Sequence, residues 1–186
     1  ELIRAKTAHL LSDARDLPIS FVCGGAAMQG IPARFDPTKT SRRIDANIVE
    51  RVYEGMDEST GLRIRVECFE YQDFPVVEWT AWFENVGDED SPNLRDVLGL
   101  DASFSGASPV LYQCNGDFYS ETGYTPNETP MSTGDTIGMA PTGGRPCDQA
   151  FPYHRIAFEG FGLTISTGWP AQWAAQFEAT GDGVHI

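Results

Sequence analysis

Lysine is almost missing from this chain. Lys6 and Lys39 are the only two among 186 residues, and 13 basic side chains face 27 acidic ones. The formal charge of -14 repels phosphate backbones and anionic headgroups, so nucleic acid and membrane surfaces are excluded as natural partners. No apolar run approaches the roughly 20 residues of a membrane span, and no charged-then-apolar leader opens the sequence. Cytoplasmic and secreted settings both stay open. Histidine is scarce as well: His9, His154 and His185 are widely separated, which makes a poor metal site. No Gly-x-Ser-x-Gly elbow accompanies them, so a serine-hydrolase triad has no footing. The cysteines Cys23, Cys68, Cys114 and Cys147 form no Cys-x-x-Cys pair, against both a zinc ribbon and a redox motif. No cofactor or metal is called for.

What is present is a folded β-rich chain. Hydrophobic residues make up 41% and aromatics 11%, enough to bury a core, and the length fits a single domain over 1–186. The stretch GLRIRVECFEYQDFPVVEWTAWFENVGD, Gly61 to Asp88, holds two alternating segments joined by a polar corner, the pattern of paired antiparallel strands. Leu62, Ile64, Val66 and Cys68 alternate with Arg63, Arg65 and Glu67. The apolar phase then flips at Phe69 and Tyr71, which predicts a β-bulge. Val77, Trp79, Ala81 and Phe83 form the apolar face of the second strand, and turn chemistry follows from Asn85 to Asp90. Cys68 lies in phase with this core and reads as a buried thiol. A Cys114–Cys147 bridge is the minority reading for the other pair.

Elsewhere, Ile19 to Cys23 reads as a strand ending at Gly24-Gly25, and residues 26–41 as loop. Arg42 to Glu54 fits a helix through Ile44, Ile48 and Val52, but its β-branched content favours strand. Further strands are predicted at Leu94–Phe104, Val110–Cys114, Tyr153–Glu159, Phe161–Thr167 and Gln172–Glu178. A long loop fills Tyr124–Cys147. Residues 1–16 fit neither period. The sum is an all-β, antiparallel sandwich with little helix. The apolar alternation starting at Gly183-Val184-His185-Ile186 reads as a strand cut short, as in a C-terminally truncated fragment.

Three stretches resemble a known family. Gly61-Leu62-x-Ile64-Arg65, Asp73-Phe74-Pro75-Val76-Val77-Glu78-Trp79 and Phe83-x-Asn85-x-Gly87-Asp88 together look like the N-terminal domain of family 36 glycoside hydrolases, the alpha-galactosidases. Gly143-Gly144-Arg145-Pro146-Cys147 with Phe151-Pro152-Tyr153 is similar to a second stretch of those enzymes, and Gly162 to Trp173 to a third. They run in the family's order over roughly residues 17 to 178. The resemblance implies a β-sandwich of the supersandwich type preceding a (β/α)8 catalytic barrel. Catalysis would then belong to the barrel, the partner of this domain within the parent chain, and the chain alone would be inactive.

Candidate sites follow from two kinds of residue. A retaining glycosidase needs two carboxyl groups about 5–5.5 Å apart. Asp101, Asp117, Glu121, Asp135 and Asp148 are available, but among 27 acidic residues solvated loop carboxylates are the plainer reading, and no catalytic residue is assigned. Asp88-Glu89-Asp90 reads as an acidic turn, lacking the spacing of a calcium loop. Sugars offer C–H faces to aromatic rings and hydroxyls to polar groups. The carbohydrate-binding candidates are therefore Asp117, Phe118, Arg145, Asp148 and Trp169, with a galactoside or other glycan as ligand. Trp79, Phe83 and Trp173 read as core. His154, mid-strand, reads as a surface or pocket-rim residue. Asn127-Glu128-Thr129 matches a glycosylation sequon. The rival function is a stand-alone, lectin-like carbohydrate-binding module, and a homo-oligomer is left open.

Overall fold

The alternation along Leu62–Tyr71 has one consequence in three dimensions. Leu62, Ile64, Val66 and Cys68 are all at or below 1% exposure, while the intervening charged residues face outward. The computed structural model describes residues 9–117 and 119–186, and these form fifteen strands with two 3₁₀ turns, Ala14–Asp16 and Ala33–Phe35. Every strand pairing is antiparallel. The chain divides into two compact units, Glu1–Asp101 and Ala102–Ile186.

In the first unit, β1 (Ser20–Cys23), β2 (Ala26–Gln29) and β7 (Leu94–Leu98) form a sheet in the order β2-β1-β7. The second sheet is a meander of β3 (Thr38–Arg43), β4 (Ile48–Asp57), β5 (Leu62–Tyr71) and β6 (Val77–Asn85). The two sheets enclose one core. Phe21 of β1 meets Phe83 of β6 edge to face, with centroids 5.1 Å apart, and Tyr53, Ile31 and Phe35 fill the same interior. Tyr53 keeps its hydroxyl satisfied by donating to the Leu11 carbonyl at 2.5 Å. Trp79 packs against this core too, and its indole N–H donates to the Gly99 carbonyl at 2.7 Å. On the outer face Arg63 pairs with Glu84, and Arg42 with Glu50 through two bonds of 3.0 Å; Arg51 pairs with Glu70 on the inward-facing side, beside Cys68 at the end of the core. Exposed pairs of this kind contribute little each.

Several sequence expectations change here. The bulge at Phe69 is absent: β5 stays in unbroken register with β4 from Asp57↔Leu62 to Ile48↔Tyr71, and with β6 from Leu62↔Asn85 to Glu70↔Val77. Phe69 and Tyr71 simply continue the outward face, where the Tyr71 hydroxyl donates to Glu78 at 3.0 Å. Residues 26–41 are no loop. Gly24 and Gly25 have φ of 58° and 88°, as both central positions of a type I′ hairpin turn require, and the chain returns at once as β2. Arg42–Glu54 is β-structure as read, but a turn at 44–47 divides it, held by Asp45 accepting from Asn47 N and Ile48 N.

The second unit also has two sheets. One has the order β10-β9-β12-β13, from β9 (Val110–Cys114), β10 (Pro126–Pro130), β12 (Tyr153–Phe158) and β13 (Phe161–Ser166). The other has the order β11-β14-β15-β8, from β8 (Ser103–Ser105), β11 (Thr136–Met139), β14 (Ala175–Ala179) and β15 (Gly183–His185). Leu111, Ile156, Phe177 and Val184 are fully buried, and His154 of β12 contacts Phe177 of β14 across the interior at 5.3 Å. The predicted Tyr124–Cys147 loop thus contains two strands, β10 and β11, each at the edge of its sheet. The all-β antiparallel sandwich class read from the sequence is the one observed.

Candidate functional site

The loops around the ends of β9 and β12 hold most of the predicted binding residues. After Cys114 the backbone leaves β9 through Asn115, whose side chain pins the whole excursion. Its Oδ1 accepts from Thr125 N at 2.6 Å and its Nδ2 donates to the Thr122 carbonyl at 3.0 Å. Asp117 stabilises the tip by accepting from Ser120 N at 2.8 Å. The half-buried Asp117 is therefore bound up in a turn. Phe118 lies outside the described residues.

The 142–151 segment packs directly on this excursion. A Cβ on Gly116 would sit 1.6 Å from the Cys147 carbonyl oxygen and 2.8 Å from that of Ala150, so only glycine allows the approach. Phe151 N donates to the Cys114 carbonyl at 3.2 Å. Asp148 is buried at 8% exposure. Its Oδ2 accepts from Thr142 Oγ1 at 3.2 Å, whereas Oδ1 is buried without a hydrogen-bond partner. Arg145 stands on the exposed rim of the same turn. Trp173 ties the following segment to it, donating from its indole N–H to the Pro146 carbonyl at 2.8 Å. Asp117, Arg145 and Asp148 are thus carried by two loops that abut. Trp169 projects at 62% exposure from the segment that Trp173 anchors.

His154 departs from its expected surface position. It is 2% exposed, ringed by Trp173 at 5.4 Å and Phe177 at 5.3 Å. Neither ring nitrogen has a hydrogen-bond partner, and burial pushes its pKa down to about 4. It is a neutral core imidazole. The alternating strand pattern placed it on the inward face with Ile156 and Phe158, a signal that sequence reasoning passed over. Cys114 and Cys147 stand as free, half-buried thiols, so the bridge reading is not realised.

One feature had no sequence signal as a group. A cavity of about 350 Å³ opens beside β9, β10 and β11, lined by Gln113, Cys114, Asn115, Thr125, Pro126, Asn127, Met139, Gln149 and Ala150. Asn127 is the direct cross-strand neighbour of Gln113. Gln113 Oε1 is buried without a hydrogen-bond partner, and Gln149 holds a left-handed φ of 65°. Tyr124 and Phe151, chain neighbours of this lining, form with Tyr153 a row of rings spaced 5.5 and 5.3 Å apart.

Comparison with known proteins adds fold to this geometry. No family model matches the sequence, and no curated protein sequence does. Solved structures do match. An alpha-galactosidase from Lactobacillus brevis aligns at a TM-score of 0.62 and 12% identity, over 90% of this chain and 24% of that one. The family 36 alpha-galactosidase AgaA from Geobacillus stearothermophilus, in complex with raffinose, aligns at 0.64 and 15%, over 90% and 25%. The chain has the fold of a portion of alpha-galactosidases. The galactosidase domain of the alpha-galactosidase–sucrose kinase AgaSK gives 0.61 and 11%, again over 90% and 25%. This chain spans about a quarter of the length of the alpha-galactosidases it matches.

Proposed function

We propose that this chain is the non-catalytic N-terminal supersandwich domain of an alpha-galactosidase-like glycoside hydrolase, seated against a (β/α)8 catalytic barrel of the same parent protein. The observation that carries the reading is the fold match, which takes in 90% of this chain but only about 25% of each galactosidase. The three sequence stretches that resemble family 36 support it independently. Both compact units then belong to one domain, residues 1–186. Exposed apolar residues in the first unit, including Phe74 at 63% and Trp82 at 54%, suit a surface that packs against more protein.

In this reading the abutting loops that carry Asp117, Arg145 and Asp148 contribute to the rim of a galactoside pocket, with Trp169 as an apolar wall. Arg145 and Trp169, both exposed, are the members whose surface a glycan would meet. The test compares two proteins: the longer gene product and the chain 1–186. The longer product is expected to hydrolyse a chromogenic alpha-galactoside and the chain alone to show no turnover. Turnover by the chain alone overturns the assignment.

The exposure of Trp169 favours one second reading, a lectin-like module that binds sugar without the barrel. It predicts saccharide binding by 1–186 that disappears in Trp169→Ala.

A further inference from the structure

We infer that the free edge of β13 is a self-association surface, pairing antiparallel with β13 of a second copy of this chain. The strand order β10-β9-β12-β13 leaves one side of β13 without a neighbouring strand among the described residues. An open edge presents a row of unpaired main-chain donors and acceptors, which proteins ordinarily guard with charge, proline, irregularity or shortness. The other edges of this chain carry such guards. β3 has Lys39, Arg42 and Arg43, β6 has Glu78 and Glu84, and β10 has Pro126 and Pro130. β7 carries Arg95 and Asp96, the latter at a φ of 50°, while β2, β8 and β11 are three or four residues long. β13 has none of these. Its sequence Phe-Gly-Leu-Thr-Ile-Ser contains no charge and no proline, in a chain where charged residues make up 22%.

Hydrogen-bond alternation fixes which groups face out. The two-residue turn Glu159-Gly160 makes Phe158↔Phe161 the bonded pair that closes the hairpin. Bonds to β12 therefore recur at Leu163 and Ile165, and next at Thr167, whose N–H donates to the Pro152 carbonyl at 2.9 Å. The N–H and C=O groups of Gly162, Thr164 and Ser166 point off the edge, and Thr164 and Ser166 are exposed.

A two-fold axis at Thr164 satisfies all of these groups at once. Thr164 lies opposite Thr164 of the second copy in a hydrogen-bonded pair, with Gly162 opposite Ser166 on either side. Leu163 then faces Ile165 in the closer, non-bonded pairs. Both belong to the interior side of the sheet, opposite the buried Ile156 and His154 of β12, yet each is only half-buried, with no strand beyond to cover it. Pairing covers them with each other and continues the core across the axis. The same operation fails on the other long edges. On β6 a central two-fold would set Glu78 against Glu84, and on β3 it would set Lys39 against Arg42. Like charges directly opposite destabilise a strand pair. At β13 identical strands meet without that penalty, which selects a second copy as the occupant, in an isologous contact that closes at the dimer.

The dimer needs nothing from the galactosidase reading and stands if that reading fails. A six-residue strand pair lies at the small end of specific interfaces, and two copies of charge -14 repel at low salt. Sedimentation equilibrium of the chain from about 5 to about 500 μM is therefore the test. The mass should rise with concentration from 20.4 kDa toward twice that value, and more readily at about 0.5 M salt than at about 0.02 M. Hydrogen exchange of the 161–166 segment should slow in step with the dimer fraction. Thr164→Lys, an exposed substitution that sets two ammonium groups face to face on the axis, should weaken association at least about tenfold. Thr80→Lys makes the same change in net charge at an exposed position of the β6 edge and should leave association unchanged. Circular dichroism and melting temperature check both folds. A monomer at every concentration and salt overturns the inference. So does a dimer that survives Thr164→Lys or is lost in Thr80→Lys, or exchange at 161–166 that ignores concentration. A longer parent protein that is monomeric with its 161–166 amides protected would put a strand of its own on this edge, and that result overturns the inference too.

Discussion

At the scale of single residues, His154 makes the clearest prediction. Its pKa lies near 4 when folded, against an ordinary 6.5, because burial beside Trp173 and Phe177 disfavours the imidazolium. The unfolded chain therefore takes up the proton first. His154 leaves stability undiminished above about pH 6.5, and stability falls as pH drops from there toward about 4, by on the order of 3 kcal/mol. Denaturant unfolding at stepped pH values should show this slope, and His154→Phe should flatten it. Asp57 works in a lower window. The hydroxyl of Ser59 holds its carboxyl below the usual carboxylate range, so its contribution is present above about pH 4 and lost below. Cys68 gives a second prediction at this scale. Burial pushes its thiol up to about 12, so iodoacetamide at pH 8 should leave it unmodified in the folded chain and label it in denaturant. Labelling of Cys68 at the rate of a free thiol would contradict the burial.

At the scale of elements, Gly116 is the point where two loops become one structure. Gly116→Ala places a methyl against the Cys147 carbonyl, a backbone contact that cannot swing aside. The expected cost is at least about 1–3 kcal/mol, read as a lowered denaturation midpoint with unchanged slope. A neutral result would mean the loops do not pack as described.

The sequence foretold some elements and concealed others for physical reasons. β5 and β6 were readable because one face is buried and the other charged, so composition reports orientation at every position. The supposed bulge at Phe69 came from treating aromatic residues as inward by default. Phe69 and Tyr71 instead cover the outer face of the sheet, with the Tyr71 hydroxyl bonded to Glu78. β2, β10 and β11 were hidden for the opposite reason. Most of their side chains are exposed, so β2 carries only Ala-Ala-Met-Gln, and Pro, Gly, Asn and Thr occupy β10 and β11, edge strands that read as loop. The carboxamide cavity shared this fate. Gln113, Asn115, Asn127 and Gln149 span 37 positions of sequence, and the β9–β10 pairing and the Gly116 contact bring them together.

At the scale of the whole molecule, the chain has two compact units, Glu1–Asp101 and Ala102–Ile186, each with its own pair of sheets. If both belong to one domain, calorimetric unfolding should give a single transition whose van't Hoff and calorimetric enthalpies agree. Two resolved transitions would mean that the units fold independently. The functional account rests on the same scale, since the likeness to alpha-galactosidases covers nearly all of this chain and a quarter of theirs. Hydrolysis of a chromogenic alpha-galactoside, measured side by side for the longer parent protein that the proposal posits and for residues 1–186, tests that account most directly. It predicts turnover by the longer protein and none by the chain alone; activity in the chain alone, or a longer product inert toward alpha-galactosides, would contradict it.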